Sequence, residues 1–294
     1  MEKLQVRRVG VLVKPNQPEA LETICRLVEW CAGRGIKVAG GPRLQRERIE
    51  SETGCEVESL AHEELVKESD LFVVLGGDGT MIGAARLIGD AEKPVVGVNF
   101  GTLGYLADFT VEDMIPALEL VLAGDYTIDR RLMLAATVER NGKQQMHDRV
   151  LNDVVISKSA LARIIEIEVE IDKKFVNRFR ADGLILSTPT GSTAYNLSAG
   201  GPVIYPSMNA VVITPICPHT LSNRPLVLSD EAEFEFTLKT QREEVALTLD
   251  GQVGMPLEHE DRVTVRKSRT GFNLIQAHTR NYFDVLRNKL KWGR

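Results

Sequence analysis

Residues 71 to 80 read Leu71-Phe72-Val73-Val74-Leu75-Gly76-Gly77-Asp78-Gly79-Thr80, an apolar run that ends in three glycines around one carboxylate. Five apolar residues in a row predict a strand that is buried on both faces, as in a parallel sheet covered by helices. The turn then lies at the carboxyl end of that strand, where open α/β sheets bind their ligands. This segment therefore predicts an α/β fold with a ligand-binding turn.

The composition of the turn predicts an anion site beside an acid. Gly76, Gly77 and Gly79 lack a Cβ, so a phosphate can come close to the backbone N–H groups. Thr80 is expected to cap a helix over 81–88, whose amino terminus favours an anion. Asp78 would then lie beside the phosphate as an acid or a base. The alternative is a tight turn in which Asp78 only satisfies a neighbouring N–H.

The length and charge of the chain narrow the class of protein. With 294 residues, two domains are expected rather than one. A net charge of −5 argues against nucleic acid as a partner, since that needs a basic surface. The chain has no apolar run of about 18 residues and no signal-peptide core, so a cytoplasmic protein without a membrane partner is expected. Its cysteines and histidines are scattered, which indicates neither a zinc site nor a nucleophile pair.

Residues 1–125 alternate between strand and helix patterns. Gly35 and Gly124 are expected to end two of the helices. The alternation is typical of a doubly wound, Rossmann-like α/β domain. The polar segment 40–54 fits neither the strand pattern nor the helix pattern. Strands are predicted over 9–13, 36–39, 71–75 and 95–99, and helices over 18–34, 61–67, 81–88 and 111–123.

Residues 126–268 change to a period of two. In residues 165–171 aliphatic side chains alternate with glutamates, as in a half-buried antiparallel strand. Short strands without intervening helices predict an all-β, sandwich-like second domain. The tail, 269–294, has a helical pattern over 282–292 and is expected to pack back on the first domain. The strands are predicted over 133–139, 165–171, 175–180, 184–187, 211–214, 234–238, 245–249 and 263–266.

Two short polar pairs interrupt this β pattern. Asn152 and Asp153 open an apolar strand, where an amide and a carboxylate can contact sugar hydroxyls or a base edge. The alternative for this pair is a turn cap at the start of the strand. Arg180 and Asp182 point to one side of an extended chain, which suits a phosphate beside a hydroxyl. Taken alone, this second pattern is better explained by a surface ion pair.

Two further segments indicate a binding pocket. Residues 187–202 are rich in small hydroxyls and glycine, and this stretch is longer than a connection requires. Small side chains let a flat ring approach the backbone, and Tyr195 offers a ring face or a hydroxyl. Asp250-Gly251-Gln252 is a hairpin-like turn that ends in an amide.

Taken in order, these segments resemble the NAD kinases of the bacterial type. The resemblance covers nearly the whole chain. Similar glycine turns occur in diacylglycerol-type lipid kinases and in phosphofructokinases, whereas the combination with the run from Gly191 to Tyr195 is highly specific. The matching motifs are Gly76-Gly77-Asp78-Gly79-Thr80, Asn99-Phe100-Gly101-Thr102-Leu103-Gly104-Tyr105-Leu106, Asn152-Asp153, Arg180-Ala181-Asp182-Gly183, Thr190-Gly191-Ser192-Thr193-Ala194-Tyr195 and Asp250-Gly251-Gln252.

The resemblance implies an active site in the cleft between the α/β domain and the β-rich domain. It implies transfer of the γ-phosphoryl of ATP to the 2′-hydroxyl of the adenosine ribose of NAD, with Asp78 as the proton acceptor. Many family members have glutamate at the position of Asp153. The residues carried over by position as NAD-binding are Asp78, Gly79, Asn152, Asp153, Arg163, Arg180, Asp182, Thr193, Ala194, Tyr195, Asn196, Leu197, Ser198 and Gln252, with Gly76, Gly77, Gly79 and Thr80 at the ATP phosphates.

The resemblance also implies cofactors and assembly. ATP and NAD are the expected substrates, and a divalent ion, commonly Mg²⁺, is expected to be held chiefly by ATP oxygens and water. The protein ligands of that ion are not assigned. A homodimer or homotetramer formed through the β-rich domain is expected.

Other functions share parts of these signals. A lipid kinase needs an apolar entry for acyl chains, whereas the residues around Tyr195 are small and polar. A non-catalytic dinucleotide sensor would use Asp78 only as a hydrogen-bonding partner of a ribose. A dehydrogenase is disfavoured because Gly77, Gly79 and Gly83 leave one residue too many for the Gly-x-Gly-x-x-Gly spacing.

Overall fold

The computed structural model describes residues 4–14, 17–42, 44–101, 104–159, 163–220, 222–276 and 281–292. The chain divides into two compact units, which are Met1–Arg130 with Phe272–Arg294, and Arg131–Gly271. We call them the first and the second unit. Among the described residues, no helix has the length and apolar character to cross a membrane.

The first unit contains a largely parallel sheet with helices. The described strands form the order β3-β2-β1-β4-β5-β20-β7, with β6 beside β5. The strands are β1 (Arg8–Val13), β2 (Lys37–Gly40), β3 (Glu58–Ser59), β4 (Leu71–Leu75), β5 (Val95–Asn99), β6 (Phe109–Thr110), β7 (Thr127–Arg131) and β20 (Phe272–Gln276). The helices are α1 (Ala20–Ala32), α2 (Arg46–Thr53), α3 (His62–Glu68), α4 (Asp78–Ile88), α5 (Met114–Ala123) and α7 (Tyr282–Leu290).

The strand order fixes where this sheet can bind a ligand. β1 pairs in parallel with β2 on one side and with β4 on the other, so the order reverses between β1 and β4. All five residues of β4 are buried, which confirms the prediction of a doubly wound α/β sheet. Ligands of such sheets bind beyond the carboxyl ends of the strands at this reversal, and Gly76 follows β4 directly.

The segment 40–54, which fitted neither pattern, contains α2. Ile49 is the one buried residue of this helix, so its apolar periodicity is weak. Ion pairs one turn apart support it instead, between Arg46 and Glu50 at 2.9 Å and between Arg48 and Glu52 at 3.1 Å. Gly54 ends the helix with φ of 67°, a left-handed conformation that costs glycine little.

The end of α1 differs in detail from the prediction. Gly33, not Gly35, is the C-cap residue and keeps a right-handed conformation. Gly35 has φ of 68° two residues later, where the chain turns into β2.

The second unit is a sandwich of two antiparallel sheets, as predicted. One sheet has the order β15-β14-β13-β10-β17-β18 and the other β12-β11-β16-β19-β8-β9. Its elements are β8 (Leu134–Arg140), β9 (Lys143–Val150), β10 (Asp153–Lys158), β11 (Ile165–Ile171), β12 (Lys174–Ala181), β13 (Gly183–Ser187), α6 (Tyr195–Ser198), β14 (Ala210–Ile216), β15 (Leu226–Ser229), β16 (Phe234–Leu238), β17 (Val245–Leu249), β18 (Val253–Leu257) and β19 (Arg262–Lys267).

Alternate residues of both sheets form the core of this unit. Val154, Leu186 and Ile213 from one sheet join Ile167, Phe236 and Val263 from the other in a single buried cluster. The outer face of β13 is buried as well, because Ile185 and Ser187 have almost no exposed surface. Helix α6, in the long segment after β13, packs against β13.

Candidate active site

The glycine turn after β4 is built around close backbone packing. Gly76 has φ of 152°, and a Cβ there would collide with the side chain of Thr80. α4 begins at Asp78 with Gly77 as its N-cap residue, and no side chain caps it. The prediction that Thr80 caps a helix starting at residue 81 is therefore wrong, because the helix starts three residues earlier. Thr80 lies in its first turn and packs on Gly76.

Both oxygens of the Asp78 carboxylate accept backbone hydrogen bonds. Tyr105 N–H donates to Oδ2 at 3.0 Å and Leu106 N–H donates to Oδ1 at 3.0 Å. These donors lie 27 and 28 residues away along the chain. Each carboxylate oxygen has two lone pairs, so one N–H bond leaves room for a second donor. Asp78 is half-buried and held in one orientation.

The loop that holds Asp78 approaches it very closely. A Cβ on Gly104 would collide with the Asp78 carboxylate, so this approach requires glycine. Burial raises the pKa of the Tyr105 hydroxyl, and the negative charge of Asp78 raises it further. The phenol therefore stays protonated at neutral pH. Thr102 and Leu103 of the same sequence motif lie outside the described residues.

The remaining residues predicted to bind phosphate differ in exposure. Gly76 is buried, Gly77 and Thr80 are half-buried, and Gly79 is exposed. A Cβ on Gly77 would meet nothing within 4 Å, and its φ of −84° suits any residue. Open space over Gly77 leaves the turn accessible to an anion.

Asn152 and Asp153 lie at the start of β10 in the second unit. Asp153 is opposite Ser187 of β13 and is buried. Burial raises the pKa of the Asp153 carboxyl to about 7, and the charge of Asp250 raises it as well. The Oδ1 atom of Asn152 is buried and has no hydrogen-bond partner among the described residues. Such an atom is unusual in a native structure, and it leaves an acceptor available to a water or to a ligand donor.

The segment from 188 to 204 is held together by two polar side chains. Ser192 Oγ donates to Pro189 O at 2.6 Å and accepts from Ile204 N at 2.9 Å. Asn196 Nδ2 donates to Ser192 O at 2.9 Å and to Pro202 O at 3.0 Å, while its Oδ1 accepts from Thr214 at 2.6 Å. The structure therefore gives the Asn196 side chain a role in folding the segment.

Its neighbours are accessible to different degrees. Thr193, Ala194 and Leu197 are half-buried, whereas Ser198 is exposed. Tyr195 is 45% exposed, so its ring is available to a flat ligand group.

Arg180 and Asp182 do not pair with each other. Arg180 contacts Glu166 at 3.2 Å and Asp182 contacts Lys158 at 3.2 Å. The chain passes from β12 to β13, and so from one sheet to the other, between these two residues. Both remain partly open to solvent, as do Arg163 and Gln252.

One polar residue of this region was not assigned a role from the sequence. Asp250 accepts hydrogen bonds from the backbone N–H groups of Leu151, Asn152 and Asp153. The available signal was an Asp-Gly pair between two strands, which indicates a turn without showing what the carboxylate contacts.

The first unit has an acid in a glycine turn of an open α/β sheet, and the second unit has an unsatisfied amide beside a buried acid. Both features agree with the nucleotide-dependent phosphotransferase that the sequence predicts. Comparisons with known proteins identify the family of kinases to which the chain belongs. Residues 9–126 match the model of the ATP-NAD kinase N-terminal domain, and residues 151–277 match that of the ATP-NAD kinase C-terminal domain. The chain belongs to the ATP-NAD kinase family.

Individual relatives agree with this assignment. The chain is 45% identical to an NAD kinase from Geotalea daltonii over 288 residues, 98% of this chain and 99% of that one. It is 46% identical to an NAD kinase from Citrifermentans bemidjiense over 289 residues, with the same coverage. Its fold is similar to that of yeast NADH kinase, solved in complex with NADH, with a TM-score of 0.90, 25% identity and coverage of 98% of this chain and 88% of that one.

The family settles the choice among the functions left open by the sequence. The chain is an enzyme that phosphorylates NAD with ATP. The lipid kinase and the non-catalytic sensor are not favoured, because both domains match the NAD kinase models.

Proposed function

We propose that this enzyme transfers the γ-phosphoryl of ATP to the 2′-hydroxyl of the adenosine ribose of NAD, with Asp78 as the proton acceptor. The observation that carries this proposal is the Asp78 carboxylate, fixed by two backbone N–H groups at the carboxyl end of β4. A carboxylate held in this way can accept one more hydrogen bond without reorienting.

In the proposed reaction the 2′-oxygen forms a bond to the γ-phosphorus, and the bond from that phosphorus to the bridging oxygen of ADP breaks. The proton of the hydroxyl passes to Asp78. A positioned general base contributes about 10²- to 10⁴-fold. The larger share comes from alignment of the two substrates and from neutralisation of the phosphates, for which the backbone of Gly76, Gly77, Gly79 and Thr80 is proposed.

The proposed NAD-binding residues of the second unit lie at the start of β10, before β11, at the sheet crossing, in the segment after β13 and in the turn between β17 and β18. The unsatisfied Asn152 Oδ1 supports an amide contact to a donor on the nucleotide. The exposed ring of Tyr195 supports stacking or a hydroxyl contact. Asp153, Arg163, Arg180, Asp182, Thr193, Ala194, Leu197, Ser198 and Gln252 complete the proposed set, with Asn196 holding the segment in place.

A divalent ion, Mg²⁺, is proposed to enter with ATP as part of the substrate. No group of three or more His, Cys, Asp or Glu side chains that could hold a metal is present in the described ranges. Mg²⁺ keeps several waters and is commonly bound through phosphates and one or two carboxylates. We therefore assign no step to an ion held by the protein.

The proposed enzyme is cytoplasmic and a homodimer or homotetramer. Edge strands of the second unit carry exposed apolar side chains, including Phe175 on β12 and Val227 on β15. Such edges can pair with a second copy of the chain.

The test of the proposal is the variant Asp78→Asn with Asp70→Asn as its matched control. Asp70 also accepts two consecutive backbone N–H groups, from Arg7 at 2.7 Å and Arg8 at 2.9 Å, but lies outside the proposed site. NADP formation by Asp78→Asn should fall about 10²- to 10⁴-fold, with calorimetric binding of NAD and ATP retained. Asp70→Asn should keep its turnover. Near-native turnover of Asp78→Asn would remove Asp78 from the mechanism.

A further inference from the structure

Asp250 occupies a hairpin turn with an unusual backbone. Asp250 has φ of 53° and Gly251 has φ of 64°, and Gln252 N–H donates to Leu249 O at 3.0 Å. Two successive positive φ values identify a type I′ β-turn, in which aspartate and asparagine are tolerated at the first central position. The turn joins β17 to β18, and β17 pairs with β10.

From this turn, the Asp250 carboxylate reaches three consecutive backbone donors. Its Oδ1 accepts from Asn152 N at 2.7 Å and Asp153 N at 3.2 Å, and its Oδ2 accepts from Leu151 N at 3.1 Å. The donors lie 97 to 99 residues before Asp250 in the chain. The carboxylate is almost fully buried, so these bonds are shielded from water.

The carbonyl groups of the same three residues are also paired. Thr188 Oγ1 donates to Leu151 O at 2.5 Å, and Thr188 N donates to Asn152 O at 2.8 Å. Asp250 N donates to Asp153 O at 2.9 Å. Residues 151–153 are therefore fixed on their N–H side by one carboxylate and on their C=O side by Thr188 and the Asp250 backbone.

The fixed backbone of residues 151–153 supports the two side chains that are proposed to bind NAD. Asn152 presents a buried, unpartnered Oδ1, and Asp153 presents a buried carboxyl opposite Ser187. A Cβ on Gly191 would collide with the Asn152 backbone, so the segment after β13 closes on the same residues. The negative charge of Asp250 also contributes to the raised pKa of Asp153. Any shift of Asp250 would therefore move both side chains and would alter the electrostatic environment of Asp153.

We infer that Asp250 is a positioning residue for NAD: its carboxylate holds the backbone of residues 151–153 so that Asn152 and Asp153 present their side chains to the dinucleotide. The inference rests on the proposed assignment of Asn152 and Asp153 to NAD. Asp250 contacts the backbone of these residues and acts through them.

The variant Asp250→Asn tests this role with little disturbance of the turn. Asparagine keeps the size and tolerates the positive φ, but an amide offers a single acceptor oxygen to three N–H donors. At least one charge-assisted hydrogen bond is lost, and the new amide NH₂ group faces a backbone N–H group, so that two donors oppose each other. We expect the KM for NAD to rise about 10- to 100-fold, and the KM for ATP to change less than about threefold. Hydrogen exchange at the amides of 151–153 should accelerate.

Asp261→Asn is the matched control. Asp261 is a buried carboxylate of the same unit that accepts the backbone N–H of Glu258 at 2.7 Å and pairs with Arg140 at 2.7 Å. It is expected to lower the stability of the unit and leave the KM for NAD unchanged. Equal KM for NAD in the wild type and a folded Asp250→Asn variant overturns the inference, as does an equal rise in Asp261→Asn.

If Asp250→Asn does not fold, Asp250→Glu decides. Glutamate keeps the charge but displaces the carboxylate by one methylene, so a rise in the KM for NAD supports the inference and an unchanged KM overturns it. The variant Asn152→Ala separates this inference from the proposed function. An unchanged KM for NAD in Asn152→Ala contradicts the assignment of the site, whereas an altered KM there with an unchanged KM in Asp250→Asn contradicts the role of Asp250 alone.

Discussion

The buried carboxyl of Asp153 should make the stability of the protein depend on pH in a way that one substitution removes. The pKa of Asp153 is about 7 in the folded protein against 3.8 for an ordinary aspartate, because the group is buried and lies near Asp250. Between these two values the folded chain binds more protons at this site than the unfolded chain does. Its contribution is therefore fully present below about pH 4 and is lost as the pH rises through about 7.

The size of the effect follows from the shift in pKa. At about 1.4 kcal/mol per pKa unit, the difference between 3.8 and about 7 corresponds to about 4 kcal/mol of unfolding free energy. About 3 kcal/mol of this unfolding free energy is lost between pH 5 and pH 8, the range in which the unfolding experiment is carried out. In Asp153→Asn the site is a neutral isostere, so this part of the pH dependence disappears.

Urea unfolding of the wild type and Asp153→Asn at several pH values between 5 and 8 measures the effect. The other titrating groups are common to both proteins, so the difference in unfolding free energy isolates Asp153. We expect the variant to gain about 3 kcal/mol relative to the wild type as the pH rises from 5 to 8. In Asp250→Asn the dependence should weaken but persist, because burial is the larger cause of the shift.

A difference that does not change with pH would refute this reasoning, and so would a wild type that gains stability relative to the variant as the pH rises. The first result would mean that Asp153 is ionised in the folded protein throughout the range. The second would mean that a group other than Asp153 governs the difference, because an unfolded aspartate is already ionised above about pH 5.

Two further substitutions test the packing of the proposed site. Gly104→Ala places a Cβ against the Asp78 carboxylate and should reduce turnover about 10²-fold without unfolding the chain. NADP formation measures the turnover and circular dichroism measures the fold. The control Gly33→Ala should have no such effect, because its Cβ would meet its neighbours at 3.6 Å or more. Asn196→Ala leaves the buried Ser192 carbonyl, the partly buried Pro202 carbonyl and the Thr214 hydroxyl without the partner they have now, and it should cost about 2 to 5 kcal/mol in urea unfolding. An Asn196→Ala variant as stable as Asn177→Ala, which removes a 3.5 Å contact to Asn223 and an exposed 2.9 Å bond from the Arg178 N–H, would contradict that second expectation.

The elements predicted best from the sequence were those whose signal is local. β4 has the predicted bounds, because five apolar residues end at a glycine and every one of them is buried. α2 escaped prediction because its apolar signal is a single buried residue, Ile49, and its support comes from charge pairs. The start of α4 was placed three residues late, because Gly77 takes the capping position without a capping side chain.

The proposed site can be predicted from the sequence only where a single residue carries the signal. The acid in the glycine turn and the polar pair at the start of β10 stand out in the sequence because each borders an apolar strand. The contacts that fix them do not stand out, because Tyr105 and Leu106 lie 27 and 28 residues beyond Asp78, and Asp250 lies 98 residues beyond Asn152. No local pattern of residues records which carboxylate meets which N–H group at such separations.

Two aspartates, Asp78 and Asp250, use their carboxylates in the same way, as acceptors of backbone N–H groups. They differ in burial and in the number of donors, which gives them different proposed roles. Asp250 directly follows β17 and Asp78 is the third residue after β4, and each accepts consecutive backbone N–H groups from a distant segment. Asp78 accepts one N–H on each oxygen and is half-buried, so its carboxylate can still take a proton from a substrate. Asp250 accepts three and is buried, so its charge is used to order the backbone around Asn152. Exchanging Asp78 for asparagine should therefore act on the chemical step, while the same change at Asp250 should act on the affinity for NAD.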